Sequence, residues 1–172
     1  DASRALDDAQ VPEAPPEAVC IICLDRGDEP LHRNCACRGP AAGFAHIECL
    51  AGYVASAAAT NPSKWTLWNQ CGMCKQSYFG ATQLGLARAR WERARDRPEE
   101  DFERLNAMGS LACALSDSRD YAAALPLWEE ELRVRRRTFG ENDENTMGCT
   151  FNLAQTHQAV GNFAKALPLA DE

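Results

Sequence analysis

Long apolar runs are missing from this chain, which excludes a membrane span at the outset. The most apolar piece, Cys49 to Ala59, is alanine-rich and falls short of the ~18 residues a spanning helix needs. No N-terminal apolar run with a small-residue cleavage site is present, and the nine cysteines are odd in number. Both features argue against a secreted disulfide framework, so the expected setting is reducing, intracellular and cytoplasmic. Basic charge is also short: 18 Lys and Arg stand against 25 Asp and Glu, a formal charge of -7. The clusters Arg88 to Arg97 and Arg133 to Arg137 sit among Glu and Ala at helical spacing and read as solvated helix faces. No nucleic-acid partner is expected.

Cysteine is what the chain does have, and it is unevenly placed: seven of the nine lie between Cys20 and Cys74. A segment of about 55 residues buries too little apolar surface to fold unaided, so a metal or disulfides must supply the missing stability. The candidate ligands in chain order are Cys20, Cys23, Cys35, Cys37, His46, Cys49, Cys71 and Cys74, separated by 2, 11, 1, 8, 2, 21 and 2 residues. Eight donors make two tetrahedral sets, and a closed shell of thiolate and imidazole marks structural zinc. Three x2 pairs plus a Cys-x-Cys are hard to reach as a chance cluster of thiols. An iron-sulfur cluster would need four cysteines and leave the histidine unexplained. Two zinc ions are therefore the expected cofactors, and with seven bound thiolates they take the net charge to about -10. His32, a spare imidazole in the first loop, is expected to be an exposed loop residue.

Residues 1–17 are rich in Ala, Asp, Glu and Pro, with Pro12, Pro15 and Pro16 opposing helix, and predict a flexible leader. The finger takes 18–80. Residues 81–104 predict a connecting helix or the second helix of a degenerate repeat, and 105–172 predict helical repeats. Within the latter, Ala122, Ala124, Leu125, Pro126, Leu127 and Glu130 return 42 residues later as Ala164, Ala166, Leu167, Pro168, Leu169 and Glu172. Each unit reads helix, tight turn, helix, with turns at 117–120 and 160–162. Ala112, Ala124, Ala154 and Ala166 let helices approach, Leu111, Leu115, Leu125 and Leu153 fill the groove between them, and Leu125 and Leu167 are expected in the core. Cys113 and Cys149 are expected as ordinary buried thiols and His157 as a helix-surface residue. The array stops at Glu172 without a polar capping helix, which predicts further repeats.

The segments Asn152-Leu153-Ala154, Gly161-Asn162-Phe163, Ala166-Leu167-Pro168-Leu169 and Thr138-Phe139-Gly140-Glu141-Asn142-Asp143 resemble tetratricopeptide repeats of the kinesin light chain kind. That resemblance implies all-α helical hairpin repeats whose concave surface takes a protein or peptide substrate. In the finger, four Cys, one His and three Cys in that order are shared by RING-CH and PHD fingers. The eight residues between Cys37 and His46 and the narrow Cys35-Ala36-Cys37 fit RING-CH. Cys20-Ile21-Ile22-Cys23-Leu24, Glu29-Pro30-Leu31, Cys35-Ala36-Cys37-Arg38-Gly39, His46-Ile47-Glu48-Cys49-Leu50 and Cys71-Gly72-Met73-Cys74-Lys75 each resemble RING-CH ligase segments. The finger is similar to the membrane-associated RING-CH ligases at every ligand position and lacks their pair of membrane spans. The fold implied is a small cross-braced two-zinc finger, with Cys20, Cys23, His46 and Cys49 on one zinc and Cys35, Cys37, Cys71 and Cys74 on the other.

By the same resemblance the chain is a ubiquitin-protein ligase that docks a ubiquitin-conjugating enzyme charged with ubiquitin and carries no catalytic group of its own. The docking patch it implies is Ile22, Tyr53, Gly72 and Met73. Lys75 stands where RING ligases carry a basic linchpin residue. On the helix opened by His46, Ile47, Leu50, Val54 and Ala57 make an inner stripe and leave Tyr53 outward; Trp65 and Trp68 are expected to cover the zinc core. Two other readings remain open, a zinc scaffold for protein contacts without ligase activity and a PHD-like chromatin reader. The latter typically carries aromatic or acidic residues ahead of the first ligand pair, where 11–19 offer Glu and Pro and no aromatic. A redox or hydrolytic enzyme has the least support, because closed sites consume all eight ligands and no Ser-His-Asp set remains.

Overall fold

The computed structural model describes residues 14–33 and 43–170. Among them no β-strand forms, only the isolated antiparallel bridges His32 to Ala45 and Gln70 to Ser77. The helices are α1 (Ile47–Thr60), α2 (Gly80–Ala94), α3 (Phe102–Asp117), α4 (Tyr121–Phe139), α5 (Glu144–Ala159) and α6 (Phe163–Ala170), with a 3-10 segment at Pro62–Trp68. None is long and apolar enough to cross a membrane. The chain divides into two compact units between Ala89 and Arg90, inside α2.

In the first unit α1 buries Ala51 and Val54, three residues apart, against Leu67 and Trp68 of the 3-10 segment and Leu86 and Ala89 of α2. Ile47, Leu50 and Ala57 are half-buried at the edges of this core and Tyr53 is 53% exposed. The stripe is thus read correctly at Val54 but is centred on Ala51, whose small side chain gave it little weight. Asn61 starts the 3-10 segment by accepting a hydrogen bond from the Ser63 backbone N–H, with Pro62 following it. Where α2 passes α1, a Cβ on Gly85 would stand 3.0 Å from three carbons of Ile47; the glycine permits the close approach. Trp68 is buried, but Trp65 is 53% exposed and stands outside the buried core that Trp68 joins. The 3-10 winding, near three residues per turn, puts Trp65 and Trp68 on one edge, and only the latter reaches the core. His32 is half-buried, not exposed, since its backbone pairs in both directions with Ala45.

In the second unit successive helices pack on one another, α3 on α4, α4 on α5 and α5 on α6. The 42-residue repeat holds at the level of individual hydrogen bonds. After α3 the backbone N–H groups of Ser118, Arg119 and Asp120 donate to the carbonyls of Ala114, Ser116 and Leu115. After α5 those of Val160, Gly161 and Asn162 donate to Thr156, Gln158 and His157. Both ends are Schellman caps, with a left-handed residue at φ 61° (Arg119) and 78° (Gly161). Ala112, Ala124, Ala154 and Ala166 are buried, as are Leu111, Leu115 and Leu153.

Four expectations fail in this unit, and two of them, His157 and Leu167, share one reason. An inner helix of a stack is covered on two sides, whereas an outer one is covered on a single side. His157, expected on the surface, is 3% exposed because α5 is packed by both α4 and α6. Leu167, expected in the core, is 66% exposed because α6 is packed only by α5 among the described residues. Leu125 is half-buried. Cys149 is buried as expected, while Cys113 is exposed.

Aspartates open the helices: Asp101 caps α3, Asp120 caps α4 and Asp143 caps α5, the last accepting from the N–H groups of Asn145 and Thr146 and from the Thr146 hydroxyl. Asp143→Ala is expected to lower the stability of the second unit by about 1 kcal/mol, read from urea unfolding followed by helical circular dichroism.

Candidate metal centre

The first cysteine pair lies on a tight knuckle. The Cys20 N–H donates to the Asp25 carbonyl, the Leu24 N–H donates to the Cys20 carbonyl, and Leu24 takes the left-handed conformation at φ 62°. The Ile22 N–H points back at Cys20 Sγ, 3.4 Å away. Left-handed geometry costs a branched residue on the order of 1–2 kcal/mol, so the turn is kept for what it positions. The last pair repeats it. The Cys71 N–H donates to the Gln76 carbonyl, the Lys75 N–H donates to the Cys71 carbonyl, and Lys75 sits at φ 61°. Two segments 51 positions apart in the sequence thus present two thiols in the same way.

His46 and Cys49 meet the first knuckle from the start of α1. The ligand atoms of Cys20, Cys23, His46 and Cys49 all lie within 4.8 Å of one another. His46 Nδ1 stands 3.5 Å from Cys23 Sγ and 3.7 Å from Cys49 Sγ. A tetrahedral zinc with the usual Zn–S and Zn–N bond lengths separates a sulfur from a nitrogen by about 3.6 Å, so these edges fit one ion. The imidazole is oriented for it: Nε2 donates to the Arg26 carbonyl at 2.7 Å, which leaves Nδ1 as the lone-pair nitrogen facing the thiols. Gly27, at φ 56°, turns that carbonyl toward the ring. Arg26 in turn holds the approach to the finger, its Nη1 donating to the carbonyls of Pro15, Pro16 and Ala18 at 2.8, 2.9 and 3.2 Å.

The acid-base chemistry of the cluster is that of crowded thiols. Burial alone would raise Cys20, but N–H groups of Cys23, His46 and Ile22 aimed at its sulfur outweigh it and bring the thiol down to about 6. Burial, with the neighbouring Cys23 and Cys20 sulfurs, pushes Cys49 up to about 12. The hydrogen bond to the Arg26 carbonyl raises His46. Three sulfurs this close cannot all ionise together without a cation among them. Three soft thiolates and one imidazole are the donor set zinc prefers, so the residues present fit a metal ion.

Of the second expected set, Cys71 is buried and Cys74 exposed on their knuckle, while Cys35 and Cys37 lie outside the described residues. Sequence reasoning missed Arg26. It contributes through its backbone carbonyl and through hydrogen bonds to other carbonyls, neither of which has a residue-type signature.

Between the two knuckles and α1 runs a groove of about 730 Å³. Ile22, Tyr53, Gly72 and Met73 all border it, as does Lys75, whose Nζ donates to the Gly72 carbonyl at 2.9 Å. A Cβ on Gly72 would lie 3.1 Å from Leu67 Cδ2, so the second knuckle packs its tip on the 3-10 segment.

In comparison with known protein families, residues 103–172 match the tetratricopeptide repeat family. No curated protein and no solved structure matches the chain. The second unit is therefore a tetratricopeptide protein-interaction module, and the first carries a three-cysteine, one-histidine cluster able to hold a metal ion.

Proposed function

We propose that the chain is a RING-CH type ubiquitin-protein ligase. Its finger docks a ubiquitin-conjugating enzyme charged with ubiquitin, and its tetratricopeptide repeats bind the protein to be modified. The observation that carries the reading is the groove, because the four residues that the RING-CH resemblance marks for docking border one cavity beside the Cys20, Cys23, His46, Cys49 cluster. Zinc, when bound, supplies a closed structural shell that ties the first knuckle to α1. The finger's own residues do the rest by position. Ile22, Met73 and Tyr53 offer apolar surface to the conjugating enzyme, and Lys75 is placed to donate a hydrogen bond at the groove's edge. Transfer then follows from holding the partner's thioester in a reactive geometry, with no covalent step on this chain.

Single-turnover discharge of ubiquitin from a charged conjugating enzyme tests this. Ile22 meets the metal cluster through its backbone N–H and its side chain is exposed, so Ile22→Ala should keep folding and metal content. Removing an apolar contact at a docking centre costs about 1 to 3 kcal/mol of binding, a roughly five- to hundred-fold loss of affinity, and discharge should slow accordingly. A wild-type chain that stimulates discharge from no member of a broad panel of conjugating enzymes is a zinc scaffold for protein contacts, and the ligase reading fails.

A further inference from the structure

Arg26 is not a ligand, yet it is tied to the metal cluster from two directions. Its backbone carbonyl accepts from His46 Nε2 at 2.7 Å and so decides which ring nitrogen faces the thiols. Its side chain reaches the other way, Nη1 donating to the carbonyls of Pro15, Pro16 and Ala18. One nitrogen with two protons can serve three carbonyls only where they converge. They converge because residues 15–18 form a turn, closed by the Ala18 N–H on the Pro15 carbonyl at 2.9 Å. Pro15 and Pro16 fix their own φ, so the turn is largely organised before the arginine meets it. Ala18 is buried and stands two residues ahead of Cys20, which is fully buried. The turn therefore leads straight into the first ligand.

We infer that Arg26 is a positioning residue for the metal ion, a latch that couples the turn at residues 15–18 to the orientation of His46. With its side chain seated on the turn, the peptide between Arg26 and Gly27 is held with its carbonyl toward the imidazole. Gly27 supplies the left-handed φ of 56° that this orientation needs. Release of the turn frees the Arg26 backbone and lets the ring rotate away, which leaves three thiolates and an open position around the ion. Metal retention in the finger is thus set by a contact outside the ligand set. The inference goes beyond ubiquitin transfer and holds whether or not the finger is a ligase.

The test is chelator competition on the full zinc-loaded chain, with the ion at this cluster followed through the His46 ring signals by NMR. Arg26 is exposed, so Arg26→Ala leaves no cavity. It is expected to weaken zinc at this cluster about ten- to a hundredfold, the range for outer-shell partners of metal ligands, and to speed exchange of the His46 Nε2 proton with water. Arg26→Lys keeps a donor but loses the guanidinium fork, and should fall between the two. Gly27→Ala strains the same peptide from its other end, where a Cβ would stand 3.5 Å from His46 Nε2. It should reproduce both changes, and combining it with Arg26→Ala should add less than the sum of the two. Unchanged zinc affinity in Arg26→Ala overturns the inference. So does a loss of affinity in which the His46 proton keeps its protection, or full additivity of the two variants. Should Arg26→Ala take up no metal, Arg26→Lys is scored by the same two readouts.

Discussion

Stripping metal from the intact chain with a strong chelator is expected to unfold the first unit and leave α3 to α6 folded. Among the described residues the large buried apolar side chains of the first unit are few, Phe44, Val54, Leu67, Trp68 and Leu86, and the rest of its apolar core is small, with Ala18, Ala45, Ala51, Ala87 and Ala89. Burial on that scale does not offset the ordering of a segment dominated by loops. Structural zinc contributes about 10–16 kcal/mol in isolated finger peptides, so its removal exceeds any stability the small core could supply. The second unit has its own core, with Leu105, Leu111, Leu115, Trp128, Leu132, Val134 and Leu153 buried, and none of the eight candidate ligands belongs to it. Hydrogen exchange followed by mass spectrometry separates the two outcomes. Amides of α1 and the 3-10 segment should lose protection on chelation, and those of α3 to α5 should keep it. Unchanged protection across Ile47–Trp68 would show that the cluster does not hold the finger together, and loss throughout α3 to α5 would show that the units do not unfold independently.

The Cys20, Cys23, His46, Cys49 cluster was legible in the sequence because its signal is local: Cys-x2-Cys and His-x2-Cys each fix two donors on one turn, whatever the rest of the chain does. The repeat was legible for the same reason, since small residues and turn residues recur at a fixed distance and the matching Schellman caps at Arg119 and Gly161 follow from them. Burial was less legible. His157 and Leu167 were placed on the wrong sides of the surface because helical periodicity assigns one buried stripe, whereas stacking decides how many faces of a helix are covered. The orientation of His46 was also beyond reach, since it is set by a backbone carbonyl, that of Arg26.

A buried ion pair on α4 was likewise read as part of a solvated basic face, and it supplies the sharpest test of the repeat core. Arg135 Nε donates to Glu131 Oε1 at 2.6 Å, and both side chains are more than nine-tenths buried. Arg135 Nη2 donates to Asn106 Oδ1 of α3 at 3.0 Å. Gly109 makes room for the carboxylate, since a Cβ there would lie 2.7 Å from Glu131 Oε2. Burial raises the Glu131 carboxyl above its ordinary range and Arg135 only partly opposes this. Arg135→Met keeps the aliphatic bulk but removes the cation, leaving a buried carboxylate unpaired, and should cost about 3–5 kcal/mol near neutral pH. The pH dependence has a definite sign. A carboxyl whose folded-state pKa is raised binds more protons folded than unfolded between the two values. The stability it allows is therefore complete below the unfolded value and is lost as pH rises through the folded one. The deficit of Arg135→Met should accordingly shrink at mildly acidic pH, and adding Glu131→Gln should recover much of it at neutral pH. Urea unfolding of the chain, followed by helical circular dichroism at both pH values, measures each of these. A deficit that is constant with pH and untouched by Glu131→Gln would mean that Arg135 stabilises the hairpin by packing alone and that its charge is dispensable.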